Sequence, residues 1–235
     1  MGDRTQLLGS LDHFRRELDL TGAMDAIDQY GQQAIDLVSS DRAQRAFDIQ
    51  QEPASLRDRY GRTEWGQRLL LKRRMVEAGC SFVNVELPGW DDHGDSGMIF
   101  DNMCRRLPMY DQAVSGLIDD VHTRGLERNV MIVVGGEFGR TPVLSKRPSR
   151  VAKIGRDHWP SAMSFRVSGG GMQTGQVIGS TDSKGGAPRK NSLDPNDLLA
   201  TVYGFLGMDL DHSYPDRSGR PMPILPYGRP IAGLT

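Results

Sequence analysis

Cysteine is almost missing from this chain. Cys80 and Cys104 are the only two among 235 residues, they are not spaced as a CxxC pair, and both read as small core residues. Nothing in the sequence calls for a disulfide. Long apolar runs are missing too. No stretch approaches the roughly 18 residues that a membrane helix requires, and 37% hydrophobic residues with a mean hydropathy of −0.47 describe a soluble chain. The first ten residues, MGDRTQLLGS, lack the charged-then-apolar pattern of an export signal. The chain as written is therefore expected to be cytoplasmic. A charge excess of either sign is lacking: 29 Lys and Arg face 30 Asp and Glu, for a net −1. That balance gives no electrostatic case for nucleic acid or an anionic membrane surface. Lysine is sparse, occurring only at 72, 146, 153, 184 and 190. Arginine suits bidentate binding of oxyanions, although high genomic GC content produces the same bias. Internal repeats and low-complexity segments are absent.

What is there divides into a helical arm and an α/β body. Leu7, Leu8, Leu11, Phe14 and Leu18 recur at helical steps, and residues 23–38 repeat the pattern after the break at Thr21-Gly22. Ser40 or Asp41 caps a short helix ending near Phe47. Thr63 caps a helix running to Ala78, with Gly79 as its stop. The run CSFVNVEL at 80–87 is β-rich and bounded by glycine and proline. An amphipathic helix at 110–124 and a wholly apolar strand at 130–134 follow. A helix between two such strands predicts a βαβ unit and a parallel sheet. Residues 165–168 and 176–178 are weaker strand candidates. Asp194 and Pro195 open the last helix, which stops at Gly207. At this length one ordinary α/β domain can bury a sizeable core.

Three short stretches gather carboxylates and imidazoles: WDDHGD at 90–95, GEFGRTP at 136–142 and GRDHWP at 155–160. The first two follow the β-like runs, and strand ends are where open α/β sheets bind ligands. Asp91, Asp92, His93 and Asp95 would repel one another unless a cation or an arginine neutralised them. The bland alternative is a solvated acidic loop. Glu137 follows Gly135-Gly136, where the backbone can approach a ligand closely; alternatively it pairs with Arg140. His158 is a candidate ligand. Asp157 could ligate as well, or hold an imidazole tautomer. Arg140 and Arg156 could grip an oxyanion or pair with the nearby acids. His13, His122 and His212 are isolated. The glycines at 169–171 and Gly175 form no GxxxxGK[ST] loop and read as a turn.

The ordered motifs AFD at 46–48, EP at 52–53, RDRYGR at 57–62, GQ at 66–67, EAG at 77–79, GWDDH at 89–93, LP at 107–108, EFGRTP at 137–142, GRDHWP at 155–160 and GxxxGxVIGSTD at 171–182 resemble a bacterial family. It is the domain-of-unknown-function family fifteen-hundred-and-one, abundant in planctomycetes and often labelled sulfatase-like. The resemblance runs from about residue 40 to the C-terminus. That family is similar to the alkaline phosphatase superfamily. The resemblance implies a doubly wound, mainly parallel α/β sheet; with the helical arm read from periodicity at 1–50, the sulfatase- or phosphatase-like domain is expected at 51–235. It implies a metal site of Asp91, His93, Glu137 and His158, with Asp92 and Asp157 as further candidates. The cofactor is a divalent metal, zinc first, with manganese, magnesium or calcium as alternatives. The usual family pattern at 90–93 is Trp-Asp-Thr-His, so Asp92 departs from it.

Relatives of this kind begin with an export signal and an additional strand whose loop supplies more ligands. The chain is therefore expected to correspond to the C-terminal part of that fold, incomplete at its N-terminus. Two functions follow as expectations. One is a metal-dependent hydrolase of phosphate or sulfate esters, including sulfated or phosphorylated carbohydrates, with Arg140 and Arg156 on the substrate and no nucleophile assignable. The other is a non-catalytic remnant or binding module with a partial metal site. An open sheet edge would favour self-association.

Overall fold

The computed structural model describes residues 28–32, 40–94, 98–147 and 153–234. The helical pattern read at residues 7–18 lies outside the described residues, as does most of that at 23–38; of the latter, residues 28–32 are helical. The chain divides into two compact units, Met1–Glu52 with Arg74–Val83, and Pro53–Arg73 with Asn84–Thr235.

In the first unit, helix α1 (Asp41–Phe47) starts where the serine predicts: Ser40 Oγ accepts from the Ala43 backbone N–H at 3.1 Å. Asp48 then caps a short 3-10 turn at Ile49–Gln51. Ala43 and Ala46 are buried. Arg74 donates to the carbonyl of Ala46 at 3.0 Å and pairs with Glu52, so one guanidinium closes the end of α1 and neutralises a buried acid.

The second unit is built on helices α2 (Ala54–Tyr60), α3 (Glu64–Glu77, which begins in this unit), α4 (Ile99–Thr123) and α5 (Pro195–Phe205). Among the described residues, Tyr60, Leu70, Val114 and Val121 are its largest fully buried side chains. Gly66 lets α3 start hard against the end of α2, since a Cβ there would lie 2.2 Å from the carbonyl oxygen of Tyr60. Within this core sits a carboxylate, Asp120. It accepts from Tyr60 Oη at 2.8 Å and pairs with Arg73 and Arg124, each at 2.8 Å. A buried charge is tolerable only when paired and hydrogen-bonded in this way. The neighbouring carboxylate and burial push the Tyr60 hydroxyl well above its ordinary range, burial being the larger cause. Helix α5 opens with a reciprocal capping box between Asp194 and Asp197 behind Pro195, as its sequence predicts.

The strands overturn the expected doubly wound parallel sheet. Those among the described residues form two-stranded antiparallel ladders only: β1 (Met131–Val134) with β6 (Arg166–Gly169), β2 (Gly139–Arg140) with β5 (His158–Trp159), β3 (Ser145–Arg147) with β4 (Lys153–Gly155), β7 (Ser180–Thr181) with β8 (Pro188–Lys190), and β9 (Ser213–Pro215) with β10 (Pro221–Pro223). The run at 80–87 carries no strand and joins no ladder. Its period-two pattern is real, with Val83, Val85 and Leu87 half-buried and Asn84 and Glu86 exposed. Such alternation reports one covered face, which a segment can acquire without strand partners. The Glu86 carbonyl is satisfied by Arg68 at 2.9 Å instead of by a neighbouring strand. The apolar strand at 131–134 does form, yet its partner is the weakly patterned 166–169 and its direction is antiparallel. Residues 176–178 carry no strand. No helix among the described residues is long and apolar enough to cross a membrane.

Candidate metal centre

The centre is assembled from the 90–94 loop and a β-hairpin. Trp90 anchors the loop against Trp65, with ring centroids 5.6 Å apart, and edge-on against Tyr110 at 5.7 Å. Asp92 turns inward. Only 3% exposed, it accepts from Asn102 Nδ2 at 2.5 Å and from Arg106 Nη1 at 2.7 Å, both on α4. The Asp92 N–H donates to the Trp90 carbonyl at 3.1 Å, so the chain makes a tight turn at Asp91. While Asp92 points inward, the side chains of Asp91 and His93 meet each other outside it.

EFGRTP and GRDHWP, read separately in sequence, are the two arms of one hairpin. The β2–β5 ladder sets Arg140 directly across from His158, and the Thr141 N–H donates to the Asp157 carbonyl at 2.9 Å. Gly155 brings the hairpin onto the loop: a Cβ there would lie 2.2 Å from the carbonyl carbon of His93. The backbone N–H of Arg156 donates to the Asp92 carbonyl at 2.8 Å and locks the two segments together.

Three donor atoms converge as a result. His93 Nε2 lies 2.7 Å from Asp91 Oδ1, His158 Nε2 lies 3.0 Å from the same oxygen, and the two imidazole nitrogens are 3.1 Å apart. On the far side of the first ring, His93 Nδ1 meets Asp157 Oδ1 at 2.8 Å. An ionised carboxylate only accepts, so His93 donates from Nδ1, and in the neutral ring Nε2 carries the lone pair. That lone pair faces a carboxylate oxygen and a second imidazole. The arrangement is repulsive unless a proton or a cation lies among the three atoms. Ligand bonds of about 2.1 Å place neighbouring donors about 3.0 Å apart in an octahedral sphere and about 3.4 Å apart in a tetrahedral one. The observed spacings match the former, so Asp91, His93 and His158 fit three adjacent positions around a divalent ion and form a possible metal site.

Arg140 Nη1 stands 3.0 Å from Asp91 Oδ1. Hydrogen bonds from His158 and then Arg140 hold the Asp91 carboxyl down at about 2, against an ordinary 3.8. Phe138 stacks on the His158 ring with centroids 4.2 Å apart, and the Arg140 guanidinium lies 5.7 Å from the centre of the same phenyl ring.

Of the residues singled out from sequence, Asp91, His93 and His158 come together, with Asp157 behind His93 and Arg140 beside Asp91. Glu137 is exposed and does not join the converging atoms. Asp92 is committed to Arg106 and Asn102. Arg156 donates from Nε to the Thr141 carbonyl at 2.5 Å, a structural tie within the hairpin. Asp95 and His13 lie outside the described residues. Sequence reasoning passed over Phe138, Asn102 and Arg106. Phe138, inside the EFGR motif two residues before Arg140, carried a usable signal; the two α4 residues carried none.

Comparison with known proteins places the chain in a family. The family described as "Protein of unknown function (DUF1501)" matches residues 3–235, and the chain belongs to it. No curated protein and no solved structure matches the chain.

Proposed function

We propose that this member of the family binds a divalent metal ion through Asp91, His93 and His158 and acts as a metal-dependent hydrolase on a phosphate or sulfate ester. The single observation that carries the reading is the convergence of three ligand-capable atoms within 2.7–3.1 Å, with an arginine at their edge. A bound metal supplies Lewis-acid polarisation of an ester oxyanion. The chain's residues supply the rest. Asp157 fixes the tautomer and direction of His93. Phe138 packs against one face of His158. Arg140 offers a guanidinium for oxyanion charge beside the metal ligands. Thr141 is not a free nucleophile: its hydroxyl donates to the Val143 carbonyl at 2.9 Å and accepts from the Asp157 N–H at 3.1 Å. The reading therefore assigns the attack to water.

A second reading, a metal-binding module without catalysis, is favoured by the position of Glu137 outside the converging atoms, which leaves three donors among the described residues. Zinc and manganese calorimetry on the full chain, followed by assays on aryl phosphates and aryl sulfates with each metal, separates the two. Binding with ester turnover, both lost in His93→Ala and His158→Ala, supports the hydrolase. Binding without turnover supports the module. Equal binding by wild type and both variants overturns the metal site itself.

A further inference from the structure

Asp92 is the member of the 90–94 loop that reaches furthest into the protein. Its carboxylate is 4% exposed and forms an ion pair with Arg106, while its other oxygen accepts from Asn102. Asn102 and Arg106 are four residues apart on α4 and so share one helix face. The Asp92 carbonyl simultaneously accepts the Arg156 N–H of the hairpin. One residue thus ties the loop to the helix by its side chain and to the hairpin by its backbone. The two residues flanking it are the donors Asp91 and His93. Asp92 is held at both its side chain and its carbonyl, so the short turn that carries Asp91 and His93 has its middle residue fixed on two sides.

We infer that Asp92 is a positioning residue, whose buried pair with Arg106 holds Asp91 and His93 in the register that ligation requires. The inference rests on the metal reading for its affinity consequences but not for its structural ones. A loop released from α4 is free to rotate its donors away from His158, and removing a group that orients metal ligands typically costs about 10–100-fold in affinity. An acid in this position serves the centre without contacting the ion.

The test uses the full chain and two readouts, zinc affinity by calorimetry and amide hydrogen exchange in the 88–94 segment without metal. Asp92→Asn is expected to lower zinc affinity about tenfold or more and to speed exchange at 88–94 while leaving α5 protected. Arg106→Lys, which keeps the charge, is expected to retain more affinity than Arg106→Gln. Exchange at 88–94 unchanged in Asp92→Asn overturns the inference, whether or not the protein binds zinc. Absence of zinc binding by wild type, with exchange still accelerated in the variant, overturns the metal reading alone. Should Asp92→Asn fail to fold, Asn102→Ala leaves the ion pair in place and carries the same two readouts: faster exchange at 88–94 supports the tie, and wild-type exchange overturns it.

Discussion

His93 occupies its place because three separate groups act on one ring. Asp157 holds Nδ1, Asp91 and His158 face Nε2, and Gly155 lets the hairpin touch the backbone beside it. Asp157→Ala frees the ring to turn, and zinc affinity is expected to fall about 10–100-fold with little change in melting temperature; titration calorimetry and a thermal melt read the two separately. The pH behaviour of Asp91 follows from its partners. Its folded carboxyl titrates at about 2 and its ordinary value is 3.8. A lowered folded value means the contribution to stability is fully present above the ordinary value and is lost as pH falls through the folded one. The window is therefore acid, between about 4 and 2, and the contribution is small because the side chain is 67% exposed. Carbon NMR of the Asp91 carboxyl should give a midpoint near 2 that climbs toward the ordinary value in Arg140→Ala. A midpoint unmoved by that substitution would show that the arginine does not act on it. The legible part of the site was its chemistry: acids and imidazoles in three tight clusters were visible in sequence. Which acid ligates and which positions was not, because Asp91 and Asp92 differ only in the side to which they turn, and that is decided by Arg106, fourteen residues away.

At the scale of elements, the local signals worked where one residue decides a backbone conformation. The Asp194-Pro195 start, the Thr63 cap and the stop at Gly79, whose φ is 105°, all sit where sequence places them. The start of α4 was missed. Pro108 lies inside the helix, and a proline ordinarily argues that a helix begins after it. The hairpin of β2 to β5 was missed as well, since its strands are two or three residues long and leave no periodicity to read. Its tell-tale is Gly155, which has an ordinary backbone but no room for a side chain. Gly155→Ala is expected to destabilise the protein by about 1–3 kcal/mol through overpacking and to abolish metal binding by moving the hairpin off the loop. Denaturant unfolding and calorimetry measure both; wild-type affinity in that variant would mean the contact is dispensable.

For the whole chain, the misreading lay in topology. Short apolar runs at 80–87 and 131–134 have the composition of buried parallel strands, but composition does not choose a partner. Pairing depends on distant residues such as Arg166–Gly169, whose own pattern is weak. The same feature has a consequence for behaviour in solution. Among the described residues β1 and β6 pair only with each other, so the ribbon keeps an open edge on each side. Val133 on β1 and Phe165 beside β6 are each 39% exposed. Open apolar edges recruit further strands, and natural proteins blunt them with lysine, proline or a covering segment. Here the exposed position at 133 is valine, and no lysine stands in either strand. We propose that the chain self-associates through this ribbon. Light scattering across a concentration series should show mass rising with concentration, and Val133→Lys should lower it without lowering the melting temperature. A chain that stays monomeric throughout, with Val133→Lys indistinguishable from it, would mean that the ribbon edges are covered and that association has no basis in β1 or β6.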